Sequence, residues 1–194
     1  MCSSRLGPPR FKRVAATAMA VATGLTATIV LIATAEPPTV RLASAEPIAV
    51  AEGVTIAPAP GWALGHRGPN WVALSNADGS AQLRVAVKPA ASTDVGAVLQ
   101  DDMNEYASAS GLGNLRNLTA PDTQPLQSAN FQQRASVDYT ADVPAADGPI
   151  PVLGTFTELL NTSSRRSVFI DFRQNNNATP QAVDDGGMMI RSME

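Results

Sequence analysis

Between Phe131 and Val143 the chain alternates: Phe131, Ala135, Val137, Tyr139, Ala141 and Val143 are interleaved with Gln132, Arg134, Ser136, Asp138, Thr140 and Asp142, the longest period-two pattern in the sequence. Successive side chains of a strand point to opposite faces, so this segment predicts a long strand with one face buried. Val152 to Leu160 and Ser167 to Arg173 flank the turn Asn161-Thr162-Ser163-Ser164 and predict a hairpin. A second hairpin is expected upstream. Val72 and Leu74 alternate after Trp71, Asn76-Ala77-Asp78-Gly79 supplies the turn, and Ala81, Leu83, Val85 and Val87 form one face of the returning strand. Gln82, Arg84 and Lys88 form its other face, read as wet.

The period changes after Pro89. Thr93 is a good helix cap, Asp94 suits the positive end of the helix dipole, and Val95, Val98, Leu99, Met103 and Tyr106 fall on one stripe that stops near Gly111 and Gly113. Asp101, Asp102 and Glu105 are then expected to face water. Thr179 caps and Pro180 opens a last helix, with Val183, Met189, Ile190 and Met193 positioned to cover the sheet. Val54 and Ile56 predict a short first strand that ends at the Pro60-Gly61 turn, and Asn175-Asn176-Asn177 reads as a loop. Hairpin connections imply a mainly antiparallel sheet covered by helices, an α+β sandwich.

The amino-terminal third is different in kind. Arg5, Arg10, Lys12 and Arg13 precede an uncharged run from Val14 to Ala35, the pattern of a basic leader followed by one hydrophobic helix. Two small-x-small signals follow, Ala33-Thr34-Ala35 and Ala43-Ser44-Ala45, each leading into Glu-Pro. The run therefore reads either as a cleaved signal peptide or as a retained anchor, and both readings export everything after it. Residues 36–52, rich in Pro and Ala, read as a tether, and residues 53–194 as one α+β domain. The lone cysteine, Cys2, lies in the leader, so the domain forms no disulfide and must rely on a hydrophobic core. Removing the four leader cations leaves ten basic against seventeen acidic groups, a charge of about −7 that would repel nucleic acid.

Motifs for catalysis are sparse. The one histidine, His66, sits in Gly65-His66-Arg67-Gly68-Pro69-Asn70, read as a loop between Trp62 and Trp71. No Gly-x-Ser-x-Gly elbow accompanies it, and the nearest hydroxyl candidates, Ser108 and Ser110, fall at a helix end. The carboxylates Asp101, Asp102, Glu105, Asp184 and Asp185 read as solvated helix faces rather than cation ligands. Arg165-Arg166 reads as a hairpin tip, and Gly111-Leu112-Gly113 as a helix stop. Trp62 and Trp71 are candidates either for an aromatic wall or for the core, with at least one assigned to the core.

Taken in order, a short strand ending in Pro60-Gly61-Trp62, a hairpin around Asp78-Gly79, the Val95 to Tyr106 helix, the Phe131 to Val143 strand, a hairpin and a final helix resemble the PsbP-like fold. The Ala-Ser-Ala-Glu-Pro ending of the leader and the Pro/Ala spacer also resemble exported actinobacterial proteins, the LpqN-type lipoproteins and proline-rich secreted antigens, although the lipobox cysteine is lacking. The resemblance implies an interaction module with no catalytic, cofactor-binding or metal residues to carry over. The expected function is a non-enzymatic binding or accessory domain acting at the cell envelope through an envelope or membrane protein partner. Two alternatives stand beside it. A carrier of a lipid or small apolar ligand would need a cavity lined by residues such as Leu83, Val98, Met103, Phe156 and Phe172. A hydrolase would need an acid and a hydroxyl gathered around His66.

Overall fold

The alternating segments pair into one antiparallel sheet. The computed structural model describes residues 46–194, so the leader, its cleavage signals and most of the tether lie outside the described residues. Among the described residues no helix is long and apolar enough to cross a membrane. In chain order the elements are β1 (Ile48–Ala51), β2 (Val54–Ile56), β3 (Trp62–Arg67), β4 (Trp71–Asn76), β5 (Ala81–Pro89), α1 (Val95–Ala109), β6 (Gly113–Arg116), β7 (Asp122–Pro125), β8 (Gln133–Val143), β9 (Ile150–Asn161), β10 (Arg166–Asn175) and α2 (Pro180–Arg191). The main sheet runs β3-β4-β5-β10-β9-β8-β6, and β7 shares the outer edge of β8 with β6. All its pairings are antiparallel.

Both faces of this sheet are covered. On one face α1 packs Val95, Leu99, Met103 and Tyr106 against Ala135, Val137, Tyr139, Phe156 and Phe169. On the other, α2 and the β1–β2 hairpin enclose Leu74, Leu83, Val85, Ile170 and Phe172 with Trp62, Met189 and Ile190. The mixture of antiparallel sheet and covering helices matches the α+β architecture expected from the sequence.

Several local expectations need correction. The cap of α1 is Asp94, whose Oδ1 accepts from the backbone N–H groups of Gly96 (2.9 Å) and Ala97 (3.4 Å); Thr93 precedes it. Asp102 does not face water: it belongs to the buried stripe of α1. The "wet" residues Arg84 and Lys88 are half-buried, because α1 lies over their face of β5. Val183, expected to cover the sheet, remains 45% exposed, while Ala182, Asp185 and Gly186 turn inward instead. Ile48–Ala51, which composition assigned to the tether, pairs with β2, and its Val50 is buried. Finally, Trp62–Arg67 is a strand rather than a loop, invisible to periodicity because after Trp62 every side chain of this edge strand is exposed.

Candidate functional site

The face under α1 carries an unusual concentration of charge. Asp102 is 4% exposed and Glu158 on β9 is fully buried, and their carboxyl groups face each other. Lys88 of β5 ion-pairs with Asp102 Oδ1 and lies 3.4 Å from Glu105. Ser167 stands beside Glu158 as a hydroxyl donor, yet the two carboxylates face each other and Asp102 Oδ2 is left without a donor if Glu158 is ionised. A proton on Glu158 resolves this, since it donates to Asp102 while Lys88 supports the charge on Asp102. Burial, followed by the charge of Asp102, holds the Glu158 carboxyl well above the usual glutamate range. Burial also raises Asp102, against the hydrogen bond and charge of Lys88.

A third buried acid lies beside this pair. Asp171 of β10 accepts hydrogen bonds from the phenols of Tyr106 (2.8 Å) and Tyr139 (2.5 Å). Burial pushes its carboxyl upward, opposed by the charge of Arg173 and by these two donors, which favour the anion. Both phenols are raised in turn, by burial first and by the Asp171 charge second. Tyr139 reaches Asp171 across β9 at Gly154, where any Cβ would collide with the phenol ring.

Next to this cluster a pocket of about 220 Å³ opens between β4, β5 and α1. Trp71, Arg84, Lys88, Glu105, Tyr106 and Phe169 are among its walls. The Arg84 guanidinium carbon lies over two aromatic rings, 4.6 Å from the Trp71 centroid and 5.0 Å from that of Tyr106. Trp71 folds back onto the β3–β4 turn, against Gly68, where a side chain of any size would displace the indole.

The opposite face offers a larger, open cleft of about 440 Å³ between α2 and the strands β8 and β9. Arg134, Asp138 and Thr155 contribute polar lining, and Leu153, Val183 and Ile190 apolar surface. Leu153 is 53% exposed. Two buried oxygens among its lining residues, Thr157 Oγ1 and Gln174 Oε1, have no hydrogen-bond partner among the described residues. Such atoms are rare inside folded proteins.

The residues singled out from sequence scatter. His66 is exposed on β3, beside a register shift in its pairing with β4, and its side chain makes no hydrogen bond among the described residues. No acid or hydroxyl among the described residues lies within hydrogen-bond distance of it. Leu83 and Phe172 belong to one core, Met103 and Phe156 to the core on the other side of the sheet, so these residues do not line a common cavity. Trp62 is buried and donates to Asp185 Oδ2 at 3.2 Å, which makes it the core tryptophan; Trp71 forms the aromatic wall. Arg165 occupies the exposed hairpin tip with φ of 52°, whereas Arg166 reaches the carbonyl of Glu52 at 2.5 Å. Gly111, with φ of +72°, follows the end of α1.

Sequence reasoning missed Asp102, Glu158 and Arg84 as a group. The signal was present: Asp102 falls at the seventh position after Val95, inside the apolar stripe, and Glu158 takes an inward position between Phe156 and Leu160.

A sheet with helices on both faces and a flanking hairpin defines a class of α+β fold, and solved structures share it. Cyanobacterial PsbP (CyanoP) from Synechocystis sp. PCC 6803 aligns with a TM-score of 0.52 at 13% identity, over 72% of this chain and 85% of that one. A mutant of the protein Mog1 aligns with a TM-score of 0.51 at 12% identity, over 76% of this chain and 93% of that one. The Ran-binding protein Mog1p of Saccharomyces cerevisiae aligns with a TM-score of 0.49 at 12% identity, over 72% and 88%. The fold is thus PsbP-like, as the order of elements suggested. No family model matches the chain, and no curated protein matches its sequence.

Proposed function

We propose that this chain is an exported binding or accessory domain that acts at the cell envelope, outside the cytoplasmic membrane, by holding a protein partner and without chemistry of its own. The observation that carries the binding role is the open cleft beside α2, where Leu153 and Val183 leave apolar surface exposed next to polar lining. Exposed apolar surface gains by being covered, and the polar lining of Arg134, Asp138 and Thr155 beside it can pair with the backbone of a peptide surface. Export rests on the basic leader, the Val14 to Ala35 run and the Glu-Pro cleavage signals, which with the Pro/Ala spacer resemble exported actinobacterial proteins.

The test is fractionation of the full chain in a bacterial host with a general export system. Full-length protein should yield a product accessible to protease outside the cytoplasmic membrane, and deletion of residues 1–35 should retain it inside. A mature product starting at Glu36 or Glu46 means a released domain; an intact, carbonate-resistant one means a tethered domain. Protein that stays in the cytosol with its leader intact overturns the export reading. In a chain lacking residues 1–35 and added back to envelope preparations, Leu153→Asp with Val183→Asp should abolish association with the envelope fraction while leaving the melting temperature within about 2 °C, since exposed substitutions cost little. Unchanged association removes the cleft from the reading.

A further inference from the structure

The pocket beside α1 has a chemistry of its own. Lys88 is occupied by Asp102 and Glu105, and Asp171 by the two phenols and Arg173 at 3.9 Å. Arg84 is different. Among the described residues no carboxylate lies within 4 Å of its guanidinium, and no acceptor receives its N–H groups. It is nonetheless held in place. The Tyr106 ring beneath it is pinned by the hydroxyl bond to Asp171, and the Trp71 ring by its seat against Gly68. A guanidinium held against aromatic rings keeps its five N–H donors, a planar fork that can receive a carboxylate through two parallel hydrogen bonds.

We propose that the pocket between β4, β5 and α1 is a binding site for a small monocarboxylate with an apolar body, its carboxylate held by Arg84 and its body lying against Trp71 and Phe169. One negative charge fits and two do not, because Glu105 and Asp102 stand on the same lining and repel a second. Size sets the other limit. A volume of about 220 Å³ is below the range of drug-sized sites and suits a ligand of roughly ten heavy atoms. The inference is independent of export and of the α2 cleft, so it stands or falls separately from the function proposed above.

The experiment is calorimetric titration of the full chain with phenylacetate at pH 7, with phenylacetamide and acetate as companions, followed in parallel by Trp71 fluorescence in a Trp62→Phe background. Phenylacetate should bind at least tenfold more tightly than either companion and should change the fluorescence. Arg84→Lys keeps the charge but not the planar fork, and should weaken phenylacetate at least tenfold while leaving the melting curve close to that of the parent. Glu105→Gln, on the exposed rim, should admit phenylmalonate, a dianion the parent rejects. Equal affinity for the acid and the amide, unaltered binding by Arg84→Lys in a folded protein, or no binding of phenylacetate overturns the assignment.

Discussion

Glu158, fully buried on β9, faces Asp102 with Lys88 behind it, and its protonation links stability to pH. Its carboxyl titrates higher in the folded protein than in the unfolded chain, where 4.5 is the ordinary value. Below that value both states carry the proton and the group is indifferent. Above it the unfolded chain releases the proton while the folded one keeps it, so stability declines as pH rises toward the folded pKa. Asp102 and Asp171, also raised by burial, act in the same direction. Glu158→Gln keeps the shape and the donor without the titration. The variant should show a flatter fall of denaturation midpoint between pH 5 and pH 8 and be at least as stable as the parent at pH 8. An unchanged slope would place the proton elsewhere in the cluster.

At the scale of elements, α1 begins where a charged acceptor meets the first free N–H groups. Asp94 is itself anchored, its backbone N–H donating to Ser92 Oγ at 3.0 Å, and its carboxylate then caps Gly96 and Ala97. Asp94→Ala should cost about 1 kcal/mol, seen in thermal unfolding as a fall of about 2–4 °C for a domain of this size. Thr93→Ala should cost much less; the reverse ranking would restore the cap to Thr93. Elements with a strong period were legible from sequence: β5, β8, β9, β10 and both helices fall where alternation or the 3.6-residue stripe put them. The strands β3, β6 and β7 were not legible. They lie at sheet edges and are mostly exposed, so burial imposes no alternation on their residues and only the neighbouring strand defines them.

At the scale of the molecule, the main sheet separates two cores yet belongs to both. Trp62 reports on the α2 side and Trp71 on the α1 side. Because β5 and β10 carry residues of both faces, neither core can dissolve while the other keeps its floor. In Trp62→Phe and Trp71→Phe variants the remaining tryptophan's fluorescence should therefore trace the same denaturant transition as far-ultraviolet circular dichroism measured on that variant. Separate midpoints for the two probes would mean that the layers unfold independently.

Sequence alone determined the quantities set by near neighbours along the chain. The alternation of β5 and β8, the stripe of α1, the Asn-Ala-Asp-Gly turn and the Pro-opened last helix follow from side-chain direction and local backbone preference, which any one segment carries by itself. Tertiary structure decided which face each alternation shows to which neighbour. Only the pairing of β5 with β10, and of β10 with β9, brings Lys88, Glu158 and Asp171 under one helix, and only the docking of α1 sets Asp102 and Tyr106 among them. A charge has no periodicity of its own; whether it is solvated or buried, paired or left with open hydrogen-bonding edges like Arg84, depends on groups tens of residues away.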